Sequence, residues 1–357
     1  MVNKEYKQSF LLLVRLGVGH RGSLPKVVDW GAIKTLADHQ GLSAVVVDGM
    51  EQLLETQLCP KEIVLSWADG VSRRYESRFT LYQQAVAELA SWYNSHGYKM
   101  MVLKGYACGI NWPKSEHRPY GDIDIWVFGE QKEADALLAK EKGIKVDSSH
   151  HHKAVFRWRG FTVENHYDFV DAHVRKSNAE LEKIFKELGK EDSYSVNVLG
   201  EKVYLPSPNL HALFLIRHLT SHFTAAEINL RQVLDWAFFV EKHTKEVDWA
   251  WLMALLEKYH MKEFFDCINA ICVEDLGFSS TLFPAVQFLP NLKERVLNDI
   301  IDPAFPTAEP KGLFKRLVYK FRRWQGNAWK QEMCYGESRW STFWLGVWAK
   351  ILKPASI

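Results

Sequence analysis

The apolar and polar positions change period twice along the chain. Up to about residue 98 the spacing is helical. Val28-Asp29-Trp30, followed by Ile33, Leu36 and Ala37, places an Asp N-cap ahead of an apolar face, and Gly41 stands where a helix stops. A longer helix is predicted over 72–95, with Phe79, Leu81, Ala85, Leu89 and Trp92 on its buried side and Gly97 past its end. The period then shortens. Lys99-Met100-Met101-Val102-Leu103-Lys104 reads as a strand feeding a glycine turn. After a loop containing Pro113 and Pro119, Asp122-Ile123-Asp124-Ile125-Trp126-Val127 alternates acid with apolar residue, as a half-buried strand does. A helix is predicted over 131–142, with Gly143 past its end. Two alternating runs joined at Gly160 predict a hairpin, and Leu199-Gly200 predicts another.

Pro206 and Pro208 mark the second change. From Asn209 onward apolar residues return to helical spacing: Leu210, Leu213, Phe214, Ile216 and Leu219, then Leu230, Val233, Leu234, Ala237 and Phe238. Val247-Asp248-Trp249 repeats the capping pattern of Val28-Asp29-Trp30, but no repeat of longer period runs through the chain. The expected fold is α+β: a small mixed-sheet domain at 99–205, an N-terminal helical segment at 1–98 and a C-terminal helical domain at 206–357.

Composition adds exclusions. With 357 residues, 47% hydrophobic and 25% charged, the chain is neither disordered nor fibrous and can bury a large core without disulfide or metal staples. The five cysteines are scattered and form no C-x-x-C pair, so they read as reduced thiols of a cytoplasmic protein. The apolar run at 10–14 is too short for a signal peptide, and no window of about 18 residues is apolar throughout, so no transmembrane segment is expected. The net charge of +2 hides an asymmetry: between Pro310 and Lys353 there are ten Lys/Arg against two Asp/Glu, together with ten aromatics.

The sharpest chemistry lies in Gly121-Asp122-Ile123-Asp124-Ile125. On a strand, residues two apart share a face, so both carboxylates would project together. Such a pair is costly unless a cation lies between them. Two carboxylates at the mouth of a sheet suit Mg²⁺ or Mn²⁺, and two such ions can clamp a phosphoryl or nucleotidyl transfer. Glu164, in the alternating run Val163-Glu164-Asn165-His166, is the candidate third carboxylate, either as a ligand or as the base, and His166 shares its face.

These residues carry a resemblance. Leu103-Lys104-Gly105, a loop with Arg118-Pro119, Gly121-Asp122-Ile123-Asp124-Ile125-Trp126-Val127, and Val163-Glu164-Asn165-His166 resemble a family of uncharacterised nucleotidyltransferases of the polymerase-β-like superfamily. His218, His222-Phe223 and Leu230-Arg231 through Asp235-Trp236 extend the likeness into the helical part. The resemblance implies a nucleoside triphosphate substrate with two Mg²⁺ or Mn²⁺ ions. It also implies attack on the α-phosphorus by an acceptor (small molecule, saccharide, protein or RNA) and release of pyrophosphate. Asp122, Asp124 and Glu164 would hold the metals and carry catalysis, while Lys104, Gly105, Arg118 and Gly121 would bind the nucleotide. Many superfamily members carry Gly-Ser or Gly-Gly at the strand-end turn, where this chain has Lys104-Gly105-Tyr106. A nucleotide-binding or regulatory module without turnover is therefore the alternative.

Other features weigh toward structure. Gly17-Val18-Gly19-His20-Arg21-Gly22 fits G-x-G-x-x-G, but Leu24-Pro25 follows where a helix should open and no acidic residue closes a second strand at the required distance, so it reads as a loop. His150-His151-His152 offers at most two imidazoles to one face, a poor zinc site. His218 and His222 lack the Glu of a zinc-protease motif and read as packing residues, and Arg231 with Asp235 reads as an i,i+4 ion pair. The basic aromatic stretch 311–353 reads first as helical packing, with contact to nucleic acid or an anionic membrane surface as alternatives.

Overall fold

The computed structural model describes residues 4–22, 28–53, 59–150, 152–171, 175–190, 194–285, 287, 289–305 and 310–336. The chain is a mixed α+β protein. In chain order it runs through four helices, α1 (Lys4–Gly17), α2 (Trp30–Gln40), α3 (Ser43–Glu51) and α4 (Lys61–Val71), and a π-helical turn, Ser72–Glu76. There follow α5 (Ser77–Ser95), β1 (Met101–Val102), α6 (Tyr106–Gly109), β2 (Ile123–Trp126), α7 (Gln131–Lys142), β3 (Lys153–Trp158), β4 (Phe161–His166), α8 (Lys176–Lys190), β5 (Tyr194–Val198) and β6 (Glu201–Leu205). The chain then continues as α9 (Pro208–Ala225), α10 (Leu230–His243), α11 (Trp249–Lys258), α12 (Lys262–Ala270), α13 (Pro290–Ile301), α14 (Leu313–Gly326) and α15 (Ala328–Tyr335). Among the described residues contacts divide these elements into two units: a sheet unit of Glu76–Phe214, and a helical unit that gathers the chain up to Tyr75 with 215–336.

The six strands lie in the order β3-β4-β2-β1-β6-β5. The sheet is mixed: β2 runs parallel to β4 and β1 parallel to β6, while β1 and β2 are antiparallel. The two outer pairs, β3–β4 and β5–β6, are the expected hairpins. Each closes on two residues with positive φ, Arg159 (48°) and Gly160 (84°) in one, Leu199 (50°) and Gly200 (94°) in the other. Positive φ at both central positions is the type I′ geometry that matches strand twist.

One face of the sheet packs on α5. Ile123, Ile125 and Val127, with Phe156, Phe161 and Val163, meet Tyr82, Ala85, Val86 and Leu89 in one buried cluster. The buried side of α5 carries Ala85, Leu89 and Trp92 as expected and departs from the expectation at Leu81. Leu81 is 58% exposed and Tyr82 is fully buried, because the aromatic ring, not the neighbouring Leu, reaches between Tyr120 and Phe161. On the other face Trp126 packs against Phe169, which stacks on Phe185 of α8. Both faces are covered, so β2 is buried along its whole length and not half-buried as its alternation implied.

In the helical unit both aspartate N-caps are formed. Asp29 Oδ1 accepts from Ala32 N at 2.9 Å, and Asp248 Oδ1 from Trp251 N at 3.0 Å. Gly41 closes α2 at φ 66°. Gly17, the first glycine of the G-x-G-x-x-G stretch, closes α1, and no strand precedes it. A Cβ there would lie 1.9 Å from Val45 O, so its glycine serves close packing of α1 on α3. Arg231 Nη1 lies 4.0 Å from Asp235 Oδ2, and the His218 and His222 rings pack with centroids 4.2 Å apart. Of the basic aromatic stretch, Trp329 packs edge-on against Phe223 and carries the Arg295 guanidinium 3.9 Å from its ring centroid. Phe314 and Phe321 of α14 are exposed. The rest of that stretch, 337–353, with Trp340, Trp344 and Trp348, lies outside the described residues. The five cysteines are free and buried. Among the described residues no helix is long and apolar enough to cross a membrane.

Candidate metal and nucleotide site

Two adjacent parallel strands build the site. The register of β2 on β4 sets Asp124 opposite Glu164. Asp124 leaves β2 on the face away from Ile123 and Ile125, and two-residue alternation in β4 places Glu164 and His166 on that same face. One ligand atom from each of Asp124, Glu164 and His166 lies within 4.8 Å of the others. His166 Nε2 is 3.0 Å from Asp124 Oδ1 and 3.9 Å from Glu164 Oε2.

Cations already stand against these carboxylates. Lys104 Nζ lies 2.9 Å from Asp124 Oδ1, and Lys153 Nζ lies 2.7 Å from Glu164 Oε2. Burial would push the Asp124 carboxyl up. Lys104 and His166 outweigh it and hold that carboxyl well below the usual carboxylate range. The alternation implied a half-buried strand with both aspartates on one face. In the structure Asp124 is only 5% exposed, and these two partners are what permit its charge there.

Asp122 sits differently from Asp124. It precedes the first paired residue of β2 and is exposed at the strand mouth. It lies outside the tight triad, yet partial burial and then the negative charges of Glu164 and Asp124 push its carboxyl up.

The turn after β1 is braced against this mouth. Leu103 N donates to Asp124 O at 3.0 Å, and Tyr82 Oη donates to Asp122 O at 3.1 Å. Gly105 follows with φ 56°, and a Cβ there would lie 2.1 Å from Tyr82 Oη. The position therefore needs glycine for both backbone and space. Gly121 is exposed, and nothing lies within 4 Å of a Cβ built on it. Arg118 is buried, with its guanidinium 5.2 Å from the Tyr120 ring centroid and Nη1 donating to Pro119 O at 3.1 Å.

The structure thus brings Asp124, Glu164 and Lys104 together, with Gly105 beside Asp122. It adds two residues to the set inferred from sequence. His166 had a signal, since alternation puts it on the face of Glu164. Lys153 had none, because only the β3–β4 hairpin, which pairs it with His166, brings it alongside. His152 does not join: its Nδ1 lies 3.7 Å from Asp171 Oδ2.

The triad fits a divalent ion. An octahedral ion with bonds of about 2.1 Å spaces adjacent ligands by about 3 Å, the separation of Asp124 Oδ1 and His166 Nε2, whereas His166 Nε2 and Glu164 Oε2, 3.9 Å apart, would have to draw together around it. The two carboxylates suit Mg²⁺ or Mn²⁺, and the imidazole adds a ligand type that transition-metal ions accept more readily than Mg²⁺.

Fold and cluster together define an α+β protein with a candidate metal-ligating triad at the mouth of a mixed sheet. Comparison of the sequence with known families then places it: residues 26–277 match the profile of a family described as "Uncharacterised nucleotidyltransferase", and the chain belongs to that family. No curated protein matches the chain. Among solved structures it is similar to an antigenic nucleotidyltransferase-like protein from Paracoccidioides brasiliensis. That match has 14% identity and a TM-score of 0.35, and covers 56% of this chain and 95% of the other.

Proposed function

We propose that the chain is a divalent-metal-dependent nucleotidyltransferase that moves a nucleoside monophosphate from a triphosphate to an acceptor and releases pyrophosphate. The observation that carries this reading is the triad of Asp124, Glu164 and His166, set beside a tight glycine turn in a chain of a nucleotidyltransferase family. Asp124 and Glu164, with His166 in reach, would hold one ion, and Asp122 at the strand mouth would share a second. A bound divalent ion would neutralise the triphosphate and orient the attacked phosphorus.

The chain's own groups do the rest. The turn at Gly105 lets the backbone approach the phosphates closely, and Lys104 supplies a point charge. The open backbone of Gly121 lines the same mouth, and Arg118 frames the loop from its seat on Tyr120. As the acceptor oxygen bonds to the α-phosphorus, the bond from that phosphorus to the β-phosphate bridging oxygen breaks. The acceptor proton passes to solvent water, because Glu164 is committed to the ion in this reading.

A thermal-shift screen of the four nucleoside triphosphates with Mn²⁺, followed by pyrophosphate detection, tests the proposal. A stabilising shift with pyrophosphate release is expected, and Glu164→Gln and Asp124→Asn should each abolish both. Nucleotide binding that survives both substitutions unchanged would refute the site. Binding without turnover in the wild type would leave a nucleotide-binding module.

A further inference from the structure

The lysines of the site have a second use. Each carboxylate of the triad already carries an ammonium, Lys104 on Asp124 and Lys153 on Glu164. All four side chains are at least four-fifths shielded except Lys153, which is 21% exposed. Lys104 and His166 meet the same oxygen of Asp124, and Lys153 approaches the Glu164 oxygen nearest His166. These are the lone pairs a metal ion would need. An ammonium at 2.7–2.9 Å and a divalent ion at about 2.1 Å compete for one such lone pair.

We propose that Lys104 and Lys153 stand in for the metal in the ligand-free site and pass to the triphosphate when metal and nucleotide enter together. The inference rests on the metal reading above and deepens it: the ligand is the metal–triphosphate complex, not the free ion. A divalent ion entering alone must displace two ammonium groups and then sit beside them in a partly desolvated site, where like charges repel strongly. A triphosphate removes that penalty, because the displaced ammonium groups gain phosphate oxygens as partners. Metal and nucleotide therefore strengthen each other's binding, and the coupling is reciprocal. Lys153 becomes a triphosphate-contacting residue. It stands at the start of β3, an edge strand of the sheet, and its side chain is 21% exposed.

Mn²⁺ binding by the full chain, read by electron paramagnetic resonance and calorimetry with and without a non-hydrolysable α,β-methylene triphosphate, tests this. In the wild type the triphosphate is expected to tighten Mn²⁺ binding about tenfold or more. Lys153→Met and Lys104→Met should each tighten binding of Mn²⁺ alone several-fold, weaken binding of the triphosphate, and shrink the coupling. Lys153→Arg should keep it. If Mn²⁺ alone binds both Met variants no better than wild type, the lysines are structural counter-ions and the proposal is overturned. Should Lys104→Met fail to fold, Lys153→Met alone decides the matter. Failure of the underlying metal reading looks different: Glu164→Gln would then leave Mn²⁺ binding unchanged in both states.

Discussion

Gly105 allows the bracing of the site to be tested quantitatively. Its backbone, φ 56° and ψ −103°, is a conformation that costs a side-chain-bearing residue about 1–3 kcal/mol. Gly105→Ala adds a second cost, since the new Cβ would lie 2.1 Å from Tyr82 Oη. Tyr82 has little room to yield, being fully buried with ring centroids 4.5 Å from Tyr120 and 5.3 Å from Phe161. Pushing it aside breaks its hydrogen bond to Asp122 O, worth about 1 kcal/mol. The sum is about 2–4 kcal/mol for Gly105→Ala, against about 1 kcal/mol for Tyr82→Phe. In the double variant the next atom met is Tyr82 Cζ at 3.1 Å, so the steric part is largely relieved. The two substitutions should therefore be sub-additive by about 1–2 kcal/mol. Hydrogen exchange of the β2 and β4 amides reports this unit's stability without assuming that both units unfold together. Gly105→Ala should accelerate that exchange about a hundredfold, at about 1.4 kcal/mol per decade. Additive effects, or a change under threefold in the single variant, would refute the account of the turn.

Three further outcomes are expected. Glu182 is buried with its two oxygens accepting from Phe169 N and Val170 N, and burial pushes it up to about 7 in spite of those bonds. The folded state thus holds this proton more tightly than the unfolded one. The stabilisation is full below about pH 4 and is lost as pH rises through about 7, so the difference between wild type and Glu182→Gln should change by on the order of 3 kcal/mol across that range in urea titrations. Lys330, 1% exposed, pairs with Asp299. Lys330→Met should cost about 3–5 kcal/mol by stranding that carboxylate, with Asp299→Asn added to it restoring most of the loss in melting experiments. Leu81→Asp should change stability by less than about 0.5 kcal/mol, while Tyr82→Ala should cost about 3 kcal/mol or more; equal effects would refute the register of α5.

The sequence by itself determined the local features. The Asp caps at Asp29 and Asp248, the helix at 131–142, both two-residue hairpin turns and the alternation through Asp124 and Glu164 all follow from preferences that act within a few residues, and the structure contains each of them. The resemblance to a nucleotidyltransferase family was legible for the same reason, because its motifs are short and contiguous. The tertiary structure alone decided which side chains meet. Asp124 faces Glu164 because β2 pairs in parallel with β4 across some forty residues of chain, and that pairing depends on the order of the whole sheet. The same order delivers Lys153 and settles His166 on Asp124. It also buries β2 on both faces, so the charge of Asp124 needs two cationic partners. The gathering of the chain up to Tyr75 with 215–336 is likewise a product of packing. Periodicity reports which face of an element is apolar, but burial of that face can be satisfied by many neighbours, and only the folded chain selects one.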